Sequence, residues 1–373
     1  MLVLNPYPQT PSPWEGAILL GLPPLVPVGG YAPKQGCFGC LPKVLHDAKP
    51  TEQAISDTPF LSTIEVFRQT DRTVSAVRYY AIKELAMHFV DAKSILSAKN
   101  GMNIYRGCTH GCIYCDARST CYNMQHDFED IEVKQNAPEL LEKALVSKRK
   151  LCMIGTGAMS DPYMHCEEKL RLTRRCLEII DRHGFGVTVL TKSDMILRDI
   201  DLLCSINSKA KAVVQMTLTT YDEDLCRILE PNVCTTKRRY EVLKAMQKNG
   251  IPTVVWFTPV LPFINDTEEN LRGILSYCFD AGVKGIICMG IGTTMRDGDR
   301  EHFYSALDRH FPGMKQRYIS QYGNGYICNS VNNGRLMSIF CNECEKHGVM
   351  CDPAEVFSYL YDFPEKNEQL TFF

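Results

Sequence analysis

The sequence has almost no net charge and no long hydrophobic run. Its 373 residues include 41 lysines and arginines against 43 aspartates and glutamates, a formal net charge of −2. No global field therefore argues for a nucleic-acid partner, although a local basic groove remains compatible with this balance. No stretch approaches the roughly 20 consecutive apolar residues that cross a bilayer, so a soluble protein is expected.

The first residues do not have the pattern of a secretory leader, so none is expected. The amino terminus lacks a basic segment, and its apolar patch over residues 17–28 is interrupted by glycine and proline. The 18 cysteines are therefore expected to stay reduced in the cytoplasm. Many of the scattered ones lie in apolar helix or strand patterns and are interpreted as small buried hydrophobic residues: Cys176, Cys204, Cys226, Cys278 and Cys288.

The amino-terminal segment differs in composition from the rest of the chain. Residues 1 to about 60 hold eleven of the twenty prolines and show little helical or strand periodicity, so no packed core is expected there. One C-x2-C pair, Cys37 and Cys40, has no second pair, which favours incidental cysteines over a zinc knuckle or a redox pair. We place the domain boundary at Met87 and interpret residues 1–86 as a proline-rich, poorly ordered appendage or as upstream translation.

The most informative stretch spans residues 106–115 and contains three cysteines at the spacing C-x3-C-x2-C: Cys108, Cys112 and Cys115. A structural zinc ion usually draws four ligands from two separated pairs, whereas a cubane iron–sulfur cluster can be held by one compact loop. With three thiolates, one iron of such a cluster stays open to a small molecule. Gly107 and Gly111 suit a loop that folds back around a cluster. Zinc with His110 as a fourth ligand is the alternative.

This loop resembles the signature of the radical S-adenosylmethionine enzymes, C-x3-C-x-aromatic-C, with Tyr114 as the aromatic residue. Residues 103–119 and the turn at residues 160–163 resemble the branch related to spore photoproduct lyase, and the resemblance covers roughly residues 87–373. It implies that the three cysteines ligate three irons of a [4Fe-4S] cluster, that S-adenosylmethionine chelates the fourth, and that Tyr114 lies against the adenine. It also implies a flavodoxin- or ferredoxin-like electron donor and damaged DNA as the substrate.

From Asn103 onward, apolar strands alternate with amphipathic helices, which indicates a parallel sheet. The first predicted strand precedes the cysteine loop, and the others are expected near residues 151–155, 186–191, 212–219, 253–258 and 285–290. Helices are expected near residues 138–147, 166–183, 235–249, 267–281 and 299–310, and a polar connection over residues 125–136. Six strands fit an α/β fold of the partial, open (β/α)6 barrel kind that radical S-adenosylmethionine enzymes have. We assign the barrel to residues 87–292 and a carboxy-terminal extension to residues 293–373.

Ligands of such barrels gather at the carboxyl ends of the strands, so residues there are the candidates for cofactor binding. After the second strand these are Thr156, Ser160 and Asp161, although the Gly-Gly-Glu usual in the wider family is absent. Lys192 and Ser193 follow the third strand, where a lysine suits the methionine carboxylate, with a solvated turn lysine as the alternative. Near the end of the fourth strand, Thr217 and Thr219 suit hydrogen bonds to ribose hydroxyls, although threonine is common in strands for its own reasons.

Several other features leave alternatives open. The basic run at residues 237–239 is more often a solvated face than a phosphate contact. Four carboxy-terminal cysteines could hold a second metal, but two of them lie in a helix-like run over residues 336–347: Cys328, Cys341, Cys344 and Cys351. Three cysteines are candidates for the residue that returns a hydrogen atom to a substrate radical, namely Cys121, Cys152 and Cys166.

The last residues, Gln369–Phe373, resemble the peptide with which bacterial repair proteins bind the sliding clamp. The alternative is that the apolar side chains of this tail fold back onto the barrel. The sequence as a whole thus predicts a radical enzyme that repairs or modifies DNA. Alternatives are a radical enzyme acting on RNA or peptide, and a metal-stabilised nucleic-acid-binding module without turnover.

Overall fold

The structure is a computed structural model and describes residues 86–364. The pair Cys37 and Cys40 and the tail Gln369–Phe373 lie outside the described residues. No helix within residues 86–364 combines the length and apolarity needed to cross a membrane.

A six-stranded parallel sheet forms the centre of the fold, in the order β2-β5-β6-β7-β8-β9. Its strands are β2 (Gly101–Met102), β5 (Met153–Thr156), β6 (Gly186–Thr191), β7 (Ala212–Thr217), β8 (Thr253–Trp256) and β9 (Gly285–Ile287). Each neighbouring pair is parallel. Within the described chain β2 and β9 do not pair with each other, so the barrel stays open. The predicted α/β class and the six-stranded open barrel are confirmed.

Helices cover the outer face of this sheet. They are α1 (Ala137–Ser147), α3 (Leu172–Arg182), α4 (Ile200–Lys209), α6 (Thr236–Lys248) and α7 (Glu268–Asp280), with the short α2 (Glu167–Leu170) and α5 (Glu223–Leu229) in the connections. Alternate strand residues such as Ile154, Val214 and Val255 pack with helix residues such as Leu177 and Leu243, all fully buried. Burying an aliphatic side chain contributes about 1.5–3 kcal/mol, so this layer supplies most of the stability of the barrel.

Two features near the cysteine loop differ from the sequence prediction. The predicted connection over residues 125–136 contains β4 (Ile131–Lys134), which pairs with β1 (Met87–Val90) and β3 (Tyr105–Arg106) in a separate three-stranded sheet. Only Ile131 and Val133 carry the apolar alternation of β4, a signal too short to detect. The single helix predicted over residues 166–183 is two helices, because Arg171 adopts a left-handed conformation with φ of 51°.

The chain after residue 292 packs back onto the barrel. It comprises β10 (Gly292–Thr294), α8 (Asp299–His310), α9 (Met314–Tyr322), β11 (Ile327–Asn329), α10 (Asn333–His347) and α11 (Pro353–Tyr361), with β10 and β11 antiparallel. Helix α11 lies across the inner face of the sheet, where two of its side chains, Phe357 and Leu360, join a buried cluster with Val213 and Val254. A Cβ on Gly155 would lie 3.0 Å from the Tyr361 hydroxyl, so this glycine makes room for the helix.

Candidate functional site

The loop with the three cysteines follows β3 and turns back on itself at two glycines. Gly107 has φ of 87°, and a Cβ there would lie 2.5 Å from the Phe128 carbonyl oxygen, so only glycine fits. The Cys108 amide donates to that same carbonyl at 3.0 Å. Gly111 repeats the left-handed conformation with φ of 69°. The segment before β4 therefore fixes the start of the loop.

The turn between α5 and α6 holds the opposite side of the loop. The Ile113 amide donates to the Leu229 carbonyl at 3.0 Å, and the Asn232 amide donates to the His110 carbonyl at 3.2 Å. The Asn232 side chain also donates to the Thr109 carbonyl at 2.9 Å. With both sides held by backbone hydrogen bonds, the cysteines are preorganised for a ligand.

The three thiols lie on one short loop. Cys112 is buried, and the other two thiols are half-buried. Burial raises the pKa of Cys108 to about 12, and the neighbouring Cys115 thiol adds to this rise. Thiolates on a single zinc ion, each at about 2.3 Å, would lie within about 4 Å of one another. These three sulfurs do not all lie within 4.8 Å of one another, so they are not arranged around a single zinc ion.

His110 does not join the cysteines as a ligand. Its side chain is buried, and its Nδ1 faces the Asp161 carboxylate, with 3.5 Å between Nδ1 and Oδ2. Burial lowers the pKa of His110 to about 4, against the opposing effect of Asp161. The imidazole is therefore neutral at physiological pH and is part of the support of the loop, which leaves the zinc alternative without its fourth ligand.

Asp161 and Ser193, both predicted to bind the cofactor, have polar atoms that bond other parts of the protein. The Asp161 carboxylate accepts from the Thr191 hydroxyl and from the Lys192 amide, each at 2.7 Å. The Ser193 hydroxyl accepts from the Met195 amide at 3.2 Å and caps the 3-10 helix Asp194–Asp199. These contacts tie the loops after β5 and β6 together beside the cysteines. Ser160, in the first of these loops, is buried.

Lys192 is directed toward the cysteine loop. Its Nζ lies 5.9 Å from the centre of the Tyr114 ring. Burial works against its charge, but the Cys112 thiol and the Glu230 carboxylate outweigh burial and raise the pKa of Lys192. The side chain is half-buried and cationic, which differs from the solvated turn lysine considered as the alternative.

A buried ion pair that the sequence did not reveal lies behind Tyr114. The Tyr114 hydroxyl donates to Glu230 in a short hydrogen bond, and Arg239 Nη2 lies 2.5 Å from Glu230 Oε2. That contact is an ion pair rather than an aligned hydrogen bond. Both side chains are fully buried, and Arg239 also donates to the Cys234 and Thr217 carbonyls.

The interpretation of the basic run at residues 237–239 as a solvated face or phosphate contact is thus wrong for Arg239. A signal was present in the sequence. Arg239 precedes Val242 and Leu243 by three and four residues, which places it on the buried face of α6.

A cleft of about 540 Å³, including its open mouth, lies inside the barrel above α11. Its lining includes Thr156, Met159, Leu190, Gln215, Trp256 and Tyr361. Trp256 Nε1 donates to Gln215 Oε1, and Gln215 Nε2 donates to the Thr188 hydroxyl, each at 2.7 Å. This polar chain crosses three strands and orients the cleft wall.

Thr156 is the one predicted cofactor-binding residue that lines the cleft. Thr217, the last residue of β7, is buried and does not line it. Thr219 is fully buried, with its hydroxyl 3.3 Å from that of Thr220 and its carbonyl bonded by two asparagine side chains. The structure therefore brings Thr156 to the cleft and places Thr219 away from it.

The four carboxy-terminal cysteines do not assemble into one site. Cys328 packs with Tyr318 beneath α8, whereas Cys344 belongs to the core on the outer side of the barrel. Within the described chain, no four-cysteine group forms from these residues.

Comparison with known proteins agrees with these observations. The model of the Radical SAM superfamily matches residues 102–278. An uncharacterized protein of Methanocaldococcus jannaschii is 33% identical over 189 residues, which cover 50% of this chain and 70% of that protein. An uncharacterized protein of Mycobacterium tuberculosis is 29% identical over 248 residues, 64% of this chain and 72% of that protein.

A solved structure extends the similarity of the fold. A spore photoproduct lyase mutant with bound AdoMet and dinucleoside spore photoproduct superposes with a TM-score of 0.51 at 13% identity, covering 71% of this chain and 81% of that one. The cysteine loop, the open barrel and the family match confirm the resemblance stated from the sequence. The chain belongs to the radical SAM superfamily and is an enzyme that uses a [4Fe-4S] cluster and S-adenosylmethionine.

Proposed function

We propose that this enzyme uses radical chemistry to repair or modify a base in DNA, with a flavodoxin- or ferredoxin-like protein as its electron donor. When bound, the cluster and S-adenosylmethionine supply a 5′-deoxyadenosyl radical after one electron enters. The residues of the chain must then orient the cofactor, hold the substrate, exclude water and return a hydrogen atom.

We assign the cluster to the three cysteines of the loop and the cofactor to the side chains around it. Cys108, Cys112 and Cys115 would each ligate one iron. Lys192 is a half-buried cation beside the loop, which supports a charge-assisted contact with the methionine carboxylate. Tyr114 is held in place by Glu230, which supports its role against the adenine. Thr156 lines the cleft and suits a polar group of the ligand.

The observation that carries the DNA proposal is an arginine and aromatic surface next to the cysteine loop. Arg296 Nη2 donates to the Tyr326 hydroxyl at 2.7 Å, and the guanidinium lies 5.0 Å from the centre of that ring. Tyr122, seven residues beyond Cys115, also contacts Arg296, with 3.4 Å between Nη1 and the hydroxyl. Unpaired bases of nucleic acids stack on aromatic rings and on the planes of guanidinium groups.

The fold neighbour supports the same substrate class, since that lyase is seen with a dinucleoside photoproduct. The net charge of −2 describes the whole chain and is compatible with a local basic groove beside the stacking groups.

Among the three cysteines considered for hydrogen return, we favour Cys121. It is exposed, and Arg296 Nη1 lies 3.3 Å from its Sγ. Cys152 directly precedes β5 and so lies at the amino end of the strands, away from the ligand end. Cys166 is half-buried and packs against the core of the barrel, so it is less accessible to a substrate. A thiol that gives its hydrogen atom becomes a thiyl radical, which must recover a hydrogen atom from 5′-deoxyadenosine or an external thiol.

The test is a dithionite-driven assay with anaerobically reconstituted enzyme and S-adenosylmethionine. The substrates are irradiated DNA, intact DNA and an RNA of the same sequence. We expect irradiated or intact DNA to increase 5′-deoxyadenosine formation. Cys121→Ala should still form 5′-deoxyadenosine but leave the substrate radical unquenched, whereas Cys204→Ala should behave like the wild type. Stimulation by RNA alone, or by neither nucleic acid, would remove DNA as the substrate.

A further inference from the structure

A cluster of histidines and carboxylates lies on the three-stranded sheet beside the barrel. His88 is on β1, while His126 and Asp130 come from the segment that precedes β4. One ligand atom from each lies within 4.8 Å of the other two, and within the described residues no other group of three or more meets this limit. The two histidine rings meet edge to face with 4.7 Å between their centroids.

Two contacts connect these residues with acidic side chains. His88 Nδ1 lies 3.1 Å from Asp130 Oδ1, and His126 Nε2 lies 3.8 Å from Glu132 Oε2. Glu132 is the register neighbour of His88 in the parallel pair of β1 and β4, so their side chains share one face. Within residues 86–364, the basic side chain in contact with each of these carboxylates is a histidine.

The hydrogen bonding of His126 fixes which of its nitrogens can bind a ligand. Its Nδ1 lies 3.0 Å from the Asp127 carbonyl oxygen, which can only accept, so Nδ1 carries the hydrogen. In the neutral ring Nε2 then holds a lone pair. That Nε2 is buried and has no hydrogen-bond partner. Metal-binding histidines commonly show this arrangement, in which the second nitrogen donates to a carbonyl.

A cation fits this point when the His126 ring is neutral. The Nε2 lone pair and a Glu132 carboxylate oxygen then lie 3.8 Å apart as two acceptors, and the distance is too long for a bridging hydrogen bond. The nearby basic side chains donate their hydrogen bonds elsewhere. Arg106 donates to the Tyr122 and Asn123 carbonyls, and Lys134 donates to the Asn103 carbonyl.

We propose that His88, His126 and Asp130 form a binding site for a divalent transition-metal ion, best matched by zinc, with Glu132 beside His126. A zinc ion bonded to nitrogen at about 2.0–2.1 Å and to oxygen at about 2.0–2.2 Å spans up to about 4.3 Å between two ligand atoms, close to the 4.8 Å within which these three ligand atoms lie. Two imidazoles and a carboxylate distinguish this site from the three thiols of the cysteine loop.

The site is mechanically connected to the cluster loop. Between His126 and Asp130 the chain presents the Phe128 carbonyl, which accepts from the Cys108 amide. A metal ion joining this segment to β1 holds the segment that supports the first cysteine. The ion is therefore structural, and its removal loosens the loop without touching the cofactor.

The test uses the full chain with its cluster reconstituted first, so that zinc does not occupy the cysteine loop. Zinc is then titrated in competition with a chromogenic chelator, and the bound ion is examined by X-ray absorption. We expect one zinc ion with nitrogen and oxygen neighbours, including imidazole. His126→Gln and Asp130→Asn should weaken zinc binding at least about 10–100-fold, the loss that even changes in the surrounding residues cause.

His310→Gln on α8 is the matched control, because this histidine is exposed and far along the chain from the site. It should bind zinc as the wild type does. Equal affinity in the wild type and both site variants, or a zinc ion bound through sulfur, would overturn the proposal. Circular dichroism of each variant without zinc separates loss of the site from loss of the fold. Thermal melting should then show that zinc raises the transition in the wild type and the control alone.

Discussion

Lys192 is a lysine beside the cysteine loop that neighbouring groups keep cationic. Lys192→Ala should leave the cluster intact and weaken S-adenosylmethionine binding by roughly 1.5–3 kcal/mol, the scale of a hydrogen bond to a charged group. Calorimetric titration of the reconstituted enzyme measures this loss. Lys209→Ala removes an exposed lysine of α4 and should change nothing. An unchanged affinity in Lys192→Ala would mean that the side chain does not contact the cofactor.

The three loop cysteines allow a second prediction at the scale of single residues. Replacing Cys108, Cys112 or Cys115 with alanine should abolish both the cluster absorbance and 5′-deoxyadenosine formation, because the two remaining thiolates cannot retain the cubane. Iron and sulfide analysis with the dithionite assay measures both. Cys204→Ala, a substitution on α4, is the control and should keep full activity. Turnover retained in any loop variant would contradict the assignment.

The ion pair behind Tyr114 concerns two elements, the turn after α5 and helix α6. Glu230→Gln leaves Arg239 buried without its counter-charge, and breaking a buried pair costs about 3–5 kcal/mol of unfolding free energy. Denaturant unfolding measures the loss. Glu268→Gln removes exposed ion pairs with Arg272 and Arg335 and should change the stability far less, because solvent screens these charges. Glu230→Gln combined with Arg239→Met should recover much of the stability, since neither partner then stays unpaired.

The same pair has a defined dependence on pH. Burial alone would raise the pKa of Glu230, but Arg239 and Lys192 outweigh burial and lower it. The stability that this carboxylate contributes is therefore complete above the ordinary glutamate pKa of about 4.3 and is lost as the pH falls through the lower value in the folded protein. The difference in stability between wild type and Glu230→Gln should be constant near neutral pH and shrink in acid.

At the scale of elements, the sequence predicts those helices and strands that have a clear local pattern. It does not predict contacts between residues that are far apart in the chain. Strand β6 has the predicted bounds because four of its six residues are β-branched, and it lies between Gly184 and the polar loop. Strand β2 has only two residues and no periodicity to detect. The hydrogen bond from Tyr114 joins it to a residue 116 positions away, so nothing in the neighbouring sequence indicates it. The cysteine spacing, by contrast, is local, and the loop was predicted from it.

The position of α11 shows the same limit. Its apolar residues Val356, Phe357 and Leu360 predict an amphipathic helix, but they do not tell which face of the barrel it covers. The decisive features are far away in sequence, where Gly155 and Gly285 leave room for Tyr361 and Val356. Pairing of these glycines with helix residues becomes visible only in three dimensions.

At the scale of the whole molecule, the tail Gln369–Phe373 remains a sequence prediction, because it lies outside the described residues. A peptide of residues 364–373 should bind a purified bacterial sliding clamp, with leucine and phenylalanine filling an apolar pocket and glutamine bonding at its rim. A peptide in which Gln369, Leu370 and Phe373 are replaced by alanine should not bind. Fluorescence anisotropy of the labelled peptides measures both. Equal or absent binding for the two peptides would remove the clamp as a partner.

The way α11 ends determines where anything beyond it starts. Lys211 directly precedes β7, and its ammonium donates to the Tyr359 and Asp362 carbonyls. The chain therefore leaves the barrel at the amino edge of the strands, while the cluster loop and the cleft belong to the carboxyl edge. A partner bound to residues after this point would hold the enzyme at the amino edge of the strands. The cleft at the carboxyl edge would stay accessible to substrate near the partner, at distances set by the length of the connecting chain.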